Sequence, residues 1–270
     1  MKTVATGKII FNRQLFKEYY LMGLKVPDYF TEALPGQFVM VRIPGKDVPF
    51  LGRPFSIYSL YTDRNDTVIE ILYRITGKGT AVFSGMKEDC ELSVLGPLGR
   101  GFDIFEQPKH VVLIAGGVGV APLSFLAETY QQTYPDKNRR ISCYLGARSS
   151  DALIGLERLE ETCSEVKIST DDGSAGYHGL VTDFFHRDFI SSGNEDAFIY
   201  SCGPHQMLKS LARILEGHSC KCQVSVEERM ACGIGTCLGC TVVTKDDGGV
   251  KFLRACKEGP VFDIGVIDWN

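Results

Sequence analysis

What the sequence does not contain narrows its function first. There is no clustered excess of basic residues. The 29 lysines and arginines stand against 33 aspartates and glutamates, a formal charge of −4, and the basic residues are scattered. The electrostatic footprint of a nucleic-acid binder is therefore missing. No stretch approaches the roughly 20 apolar residues that span a bilayer. The opening MKTVATGKIIFNRQLFKEYY also lacks a basic segment followed by an apolar run. The expectation is a cytoplasmic protein that engages neither nucleic acid nor membrane. Low-complexity tracts and internal repeats are absent too, and 44% apolar with 23% charged residues is the make-up of a folded chain. A length of 270 residues exceeds one average domain and predicts two or three compact units.

Cysteine, in contrast, is plentiful. Ten cysteines without a secretion signal argue against a disulfide framework and for thiolates that bind metal or do redox chemistry. The stretch MACGIGTCLGC, residues 230 to 240, begins a C-x4-C-x2-C pattern of Cys232, Cys237 and Cys240, and fifteen residues later comes Cys256. This is the plant-type [2Fe–2S] spacing, in which four thiolates hold two irons. Gly233, Gly235 and Gly239 suit a backbone wrapped closely around a cluster. TVVTK, DDGG and VKFLRA read as a hairpin that returns Cys256 to the loop. The competing reading is a four-cysteine zinc site, but such sites usually come as two short knuckles and only one is here. Cys220 and Cys222, two apart on the strand CKCQVSV, read as structural, with substitution of one of them for a named ligand as the alternative. Cys90, Cys143 and Cys163 lie singly and read as reduced core thiols.

Three regions follow one another. Residues 1–103 show short β-type runs (QFVMVRI, TVIEILYRI, ELSVLG) between turn signals such as LPGQ and TDRND, which predicts a closed antiparallel barrel. Residues 104–217 alternate apolar strands with helical segments, HVVLIAGG before PLSFLAETYQQ and AFIYSCG before HQMLKSLARILE, which predicts a parallel sheet wrapped by helices. Residues 218–270 hold the cysteine cluster.

Within the first region, Arg53 and Arg74 can bring positive charge to a pyrophosphate. GKGTAVFSGM looks like a loop opening a short helix, with Thr80 as a cap and phosphate donor. In the second, Gly116, Gly117 and Gly119 let the chain turn sharply beside a nucleotide, and Pro122 suits a first helical turn, although the GxGxxG fingerprint is absent. Cys202, Gly203 and Pro204 sit at the carboxyl end of another parallel strand, the edge where such sheets bind ligands. Arg148, Ser149 and Ser150 follow the strand CYLGA, where an arginine could meet an adenosine 2′-phosphate or simply be a solvated loop residue.

RPFS, GKGT, AGGVGVAPL, TDDGSAG and SCGP occur in an order that resembles the ferredoxin–NADP reductase superfamily, which joins a flavin-binding barrel to a nicotinamide-binding domain. SVEERMACGIGTCLGC and ACKEGPVFD narrow the resemblance to the electron-transfer subunits of the NAD-dependent, class 1B dihydroorotate dehydrogenases. It implies that Arg53, Pro54, Phe55, Ser56, Leu72, Tyr73, Arg74, Gly79 and Thr80 line FAD. It implies further that Gly116, Gly117, Gly119, Gly203 and Pro204 serve NAD, with nicotinamide near Cys202 and Gly117, and that Cys232, Cys237, Cys240 and Cys256 ligate the cluster. NAD rather than NADP also rests on the resemblance. So does a partner, an FMN-containing catalytic subunit that oxidises dihydroorotate to orotate for pyrimidine (UMP) biosynthesis, in a heterotetramer of two of each. A subunit of another such reductase complex, an NADPH:ferredoxin oxidoreductase or a hydrogenase, is the alternative. The superfamily often has Arg-x-Tyr-Ser where this chain has Arg53, Pro54, Phe55 and Ser56, so a tyrosine hydroxyl is missing. Phe55, Tyr58 and Tyr73 are all candidates for packing on the flavin.

Overall fold

The computed structural model describes residues 4–45, 50–106, 108–135, 139–193, 197–246 and 248–269. Its first sheet contains β1 (Val4–Phe16), β2 (Tyr19–Val26), β3 (Phe38–Arg42), β4 (Arg53–Ser56), β5 (Ser59–Asp63), β6 (Asp66–Arg74) and β7 (Glu91–Leu98), with helix α1 (Lys78–Ser84) before β7. The strands lie in the order β4-β3-β7-β1-β2-β6-β5, and every neighbouring pair is antiparallel. The TDRND signal closes as a two-residue hairpin between paired Asp63 and Asp66. Arg64 and Asn65 both take positive φ, 47° and 69°, as the mirror-type turn requires. The sheet curls so that β4 lies against β6. β6 is buried along nearly its whole length because both faces are covered. Ile69, Ile71 and Tyr73 join the core inside the curl with Phe55 and Phe83, whereas Leu72 packs outward against the second unit.

That unit contains β8 (His110–Gly116), α2 (Val120–Thr133), β9 (Arg140–Ala147), α3 (Leu156–Thr162), β10 (Glu165–Thr170), β11 (Tyr177–His178), α4 (Val181–Phe185), β12 (Phe198–Cys202), α5 (His205–Leu215) and β13 (Lys221–Ser225). The chain then forms the hairpin β14 (Thr241–Asp246) and β15 (Gly249–Arg254), followed by β16 (Val261–Asp263). The sheet order is β11-β10-β9-β8-β12-β13-β16, parallel except for β16, which runs antiparallel to β13. β8 reads HVVLIAG without alternation because helices cover both faces of such a sheet. α5 buries Leu208, Leu211 and Leu215, one stripe of a helix. β13 and β16 both follow position 218 yet pair inside this sheet. The third region thus gives its two ends to the α/β unit and keeps as its own only the stretch between them.

Cys143 on β9 is buried, Cys163 at the end of α3 is half-buried, and both are free thiols. A polar contact joins the second unit to the curled sheet. Arg158 of α3 donates to Glu70 of β6 at 2.7 Å, to Ser59 of β5 at 2.5 Å and to Glu128 of α2, and its guanidinium lies 4.8 Å from the Tyr58 ring centre. Burial raises the Glu128 carboxyl pKa despite this arginine. Among the described residues, no helix is long and apolar enough to cross a membrane.

Candidate functional site

A cavity of about 310 Å³ opens where the curled sheet, the carboxyl edge of the parallel sheet and the segment after β13 meet. Arg53, Pro54, Phe55 and Ser56 reach it from β4, and Leu72, Tyr73 and Arg74 reach it from the end of β6. Thr80 of α1 and Cys202 of β12 complete the set expected there from sequence. Gly79 supports the wall from behind. A Cβ on it would stand 2.6 Å from Arg53 Nε, so the guanidinium lies directly on the first turn of α1. Arg53 also donates to the Leu51 carbonyl at 2.9 Å. Arg74 is engaged differently, in an ion pair with Glu18 at 2.7 Å.

Thr80 caps α1 from the third helical position and not from the N-cap position, which is Gly77. Its hydroxyl accepts from Thr76 N–H at 2.9 Å and Gly77 N–H at 3.3 Å and donates to the Gly77 carbonyl at 3.2 Å, so its proton is already used within the turn. Phe55 and Tyr73 both border the cavity, but Tyr58 does not; it lies under Arg158. The Phe55 ring is packed against Tyr73 and Phe83, with centres 5.6 and 5.7 Å apart.

On the α/β side the glycines build the rim rather than line it. Gly117 needs its φ of +55° to turn the chain after β8. Gly119 has an ordinary φ of −60°, but a Cβ there would press into the Cys202 carbonyl and come within 2.7 Å of Gly203 N. The β8–α2 and β12–α5 loops therefore touch, backbone to backbone, at the cavity edge. Gly119→Ala is expected to cost about 3 kcal/mol, the upper range for overpacking, because backbone cannot step aside as a side chain would. That lowers the melting midpoint by about 6–12 °C, and circular dichroism of the variant checks it. Gly203 faces a second cavity of about 200 Å³, which Glu227 and Glu228 share with the first.

The structure adds residues that sequence reasoning missed. Val118 and Ala121 close the cavity from the start of α2, and Ser225, Glu227 and Met230 close it after β13. The signal lay in SVEERM, whose acid pair directly follows a strand at the sheet's carboxyl edge. Glu227 is an exposed residue at the cavity mouth, and the protein packed around its carboxyl shifts the pKa upward. Cys202 is 3% exposed. Burial and then the nearby Glu227 charge push its thiol well up, against a hydrogen bond with Ser225. The group is thus a neutral thiol near pH 7, fitted to pack against a ligand and not to attack one.

The four cluster cysteines converge as two couples. Cys237 N–H points at the Cys232 sulfur at 3.5 Å, and Cys256 N–H points at the Cys240 sulfur at 3.4 Å. The β14–β15 ladder pairs Thr241 with Arg254, so Cys240 meets Ala255 through a 2.8 Å backbone bond and stands one residue out of register with Cys256. Burial opposes ionisation of Cys232, yet N–H groups of Cys237 and Ile234 and the Cys237 thiol bring it down to about 6. Burial and the Cys240 thiol push Cys256 up to about 12. Among the described residues no three His, Cys, Asp or Glu side chains gather as a single-ion site. Two couples of thiols fit two irons, each taking two thiolates. Cys222 is buried within β13, and Cys220 directly precedes that strand.

The cysteine stretch reaches the cavity directly through Met230 and also packs on a side chain beside the cavity wall. Met40 on β3, 5% exposed, pairs in register with Pro54 of the cavity wall. On its other side lies Gly233 of the loop, at φ +70°, where a Cβ would press into the methionine.

Comparison with known proteins accords with this geometry. Residues 227–268 match the iron-sulfur cluster binding domain of dihydroorotate dehydrogenase B, and residues 113–213 match the oxidoreductase NAD-binding domain. The "Dihydroorotate dehydrogenase B (NAD(+)), electron transfer subunit" of Desulforamulus reducens is 36% identical over 270 residues, 100% of both chains. The chain belongs to this family of electron transfer subunits. The Streptococcus mutans member is 34% identical over 96% of each chain, and the Clostridium acetobutylicum member is 38% identical over 86% of this chain and 85% of its own. Among solved structures, that of the NADH-dependent reduced ferredoxin-NADP oxidoreductase aligns at a TM-score of 0.83, with 28% identity over 100% of this chain and 92% of the other. A ferredoxin NADP+ reductase from Neisseria gonorrhoeae shares the fold at 0.65 and 17% identity, over 81% of this chain and 92% of its own.

Proposed function

We propose that this chain is the electron transfer subunit of a NAD-dependent dihydroorotate dehydrogenase B, carrying electrons between a catalytic partner and NAD during pyrimidine synthesis. FAD, once bound, can exchange two electrons with a nicotinamide and single electrons with an iron–sulfur centre. Arg53 and the first turn of α1 offer positive charge to its pyrophosphate. Pro54, Leu72 and Tyr73 give its rings an apolar wall. Cys202 and the touching glycine loops leave room on the facing side for nicotinamide, and Cys232, Cys237, Cys240 and Cys256 hold a [2Fe–2S] cluster. The observation that carries this reading is the contact of the cysteine stretch with the cavity, through Met230, which lines it, and through Gly233, which packs on Met40 beside Pro54. The partner, an FMN-containing subunit present in two copies with two of this chain, performs the orotate chemistry. It faces the cluster, where Cys237 is exposed and flanked by Ile234, 43% exposed, and Leu238, 61% exposed.

A second reading, a subunit of a reductase acting on ferredoxin, is favoured by the full-length structural match to the reduced ferredoxin-NADP oxidoreductase. Anaerobic NADH added to the purified protein should bleach both flavin and cluster absorbance, and NADPH should do so far more slowly. The native complex should contain an FMN protein that oxidises dihydroorotate. Bleaching of neither chromophore rejects electron transfer; a partner that acts on ferredoxin instead selects the second reading.

A further inference from the structure

The residue that ties the cysteine segments together is not a cysteine. Arg254, the last residue of β15, reaches across to the loop and donates from Nη1 to the Gly235 carbonyl at 3.0 Å. Gly235 lies between Cys232 and Cys237 at φ +83°, and a Cβ on it would stand 3.1 Å from the Lys257 side chain and 3.6 Å from the same Arg254 nitrogen. The guanidinium is held in place by Glu258. Arg254 Nε donates to Oε2 at 2.9 Å, Nη2 donates to Oε1, and the same Oε2 accepts the Arg254 backbone N–H at 2.9 Å. The turn carrying Cys256 is closed inside this grip, with Lys257, Glu258 and Gly259 N–H groups all directed at the Arg254 carbonyl. A surface ion pair four residues apart usually contributes little. This one is bidentate and backbone-anchored, and it holds the arginine fork against the backbone of the cysteine loop.

We propose that Arg254 is a positioning residue for the iron–sulfur centre: it fastens the loop of Cys232, Cys237 and Cys240 to the turn of Cys256, and its charge, partly cancelled by Glu258, sets the centre's reduction potential. The proposal rests on the reading that these cysteines hold an iron–sulfur cluster. A reduced cluster carries one more negative charge than an oxidised one, so a nearby cation favours reduction and a nearby anion opposes it. The two members of the pair therefore act on the potential in opposite directions. Their structural roles, in contrast, run together, since losing either loosens the same grip. Lysine keeps the charge at position 254 but not the fork.

The experiment uses the full-length chain with its flavin and cluster, and monitors the cluster by electron paramagnetic resonance during a redox titration. Arg254→Gln is expected to lower the midpoint potential, Glu258→Gln to raise it, and Arg254→Lys to stay near the wild type. Iron release to a chelator should be about tenfold faster in Arg254→Gln, the scale of effect seen when a partner of a metal ligand is removed. If Arg254→Gln does not retain enough cluster to titrate, the upward shift in Glu258→Gln decides the matter. Unchanged potentials, or shifts of both glutamine variants in one direction, overturn the proposal. A wild-type chain with zinc and no acid-labile sulfide overturns the cluster reading beneath it.

Discussion

Cys256→Ser yields a chain that keeps its flavin and loses its iron–sulfur centre. Cys256 is 1% exposed, its N–H is committed to the Cys240 sulfur, and it comes from the far side of a hairpin. Water cannot replace the missing thiolate in so closed a place, and the remaining three ligands belong to a loop whose shape depends on the fourth. Iron and acid-labile sulfide per chain should fall close to zero. Removing mere supports of metal ligands costs roughly 10–100-fold, so electron delivery to the catalytic partner should fall by at least about 100-fold. Reduction of the flavin by NADH should change little, because the cavity wall from β4, β6 and β12 contains no cluster ligand. Because cluster binding and local folding are linked, amide exchange should quicken between β13 and β16 and stay slow in β8 and β9. Loss of flavin together with iron would show that the two sites are not independently held.

Arg158→Ala is expected to cost as much stability as Gly119→Ala, by removing a charge instead of overpacking a loop. The arginine side chain is 26% exposed, and its partners Glu70 and Glu128 are 10% and 15% exposed. Its removal leaves two carboxylates facing each other with little water to solvate them. Breaking such a buried set from one side costs about 3–5 kcal/mol; the residual exposure favours the lower figure, which lowers the melting midpoint by roughly 6–12 °C near pH 7. The pH dependence follows from the direction of the shifts. Burial already raises the Glu128 pKa with the arginine present, and without it that carboxyl rises further above its unfolded value. A carboxyl of this kind binds its proton more tightly folded than unfolded, so stability returns as pH falls through the raised value and is fully restored only below the unfolded one. The variant should gain stability relative to wild type between about pH 7 and pH 4.5. A thermal melt series across that range checks it, and a parallel decline of both proteins refutes it. Adding Glu128→Gln to the variant should recover part of the loss at neutral pH.

The sequence made these two sites unequally legible. The cysteine pattern could be read because its information is local: three ligands lie within nine residues, and a hairpin with an obvious turn returns the fourth. The strand-to-helix alternation of residues 104–217 was legible for the same reason, and so was the wall formed by Arg53 to Ser56, which is a single short strand. The Arg158 contact was not, because Glu70 is 88 positions away and nothing near either residue distinguishes it from a solvated charge. Met40 looked like one more apolar residue in QFVMVRI; only the packing of Gly233 against it joins it to the cysteine stretch. Thr80 was visible as a capping residue but not the direction of its hydroxyl, which depends on how the chain bends at Gly77. The place of β13 was obscured because CKCQVSV adjoins the cysteine loop in sequence while its hydrogen bonds go to β12.

That last arrangement has a mechanical side. The cysteine-bearing stretch leaves the parallel sheet through β13 and re-enters it through β16, so it is anchored to the nucleotide-binding half at both ends. Arg100 N–H, just after β7, donates to its Gly259 carbonyl at 2.5 Å and ties it to the flavin-binding half as well. A stretch fastened to both halves acts as a tie between them, and the Arg158 contact with Glu70 and Ser59 is a second tie, so rocking of one half against the other must break hydrogen bonds at two places.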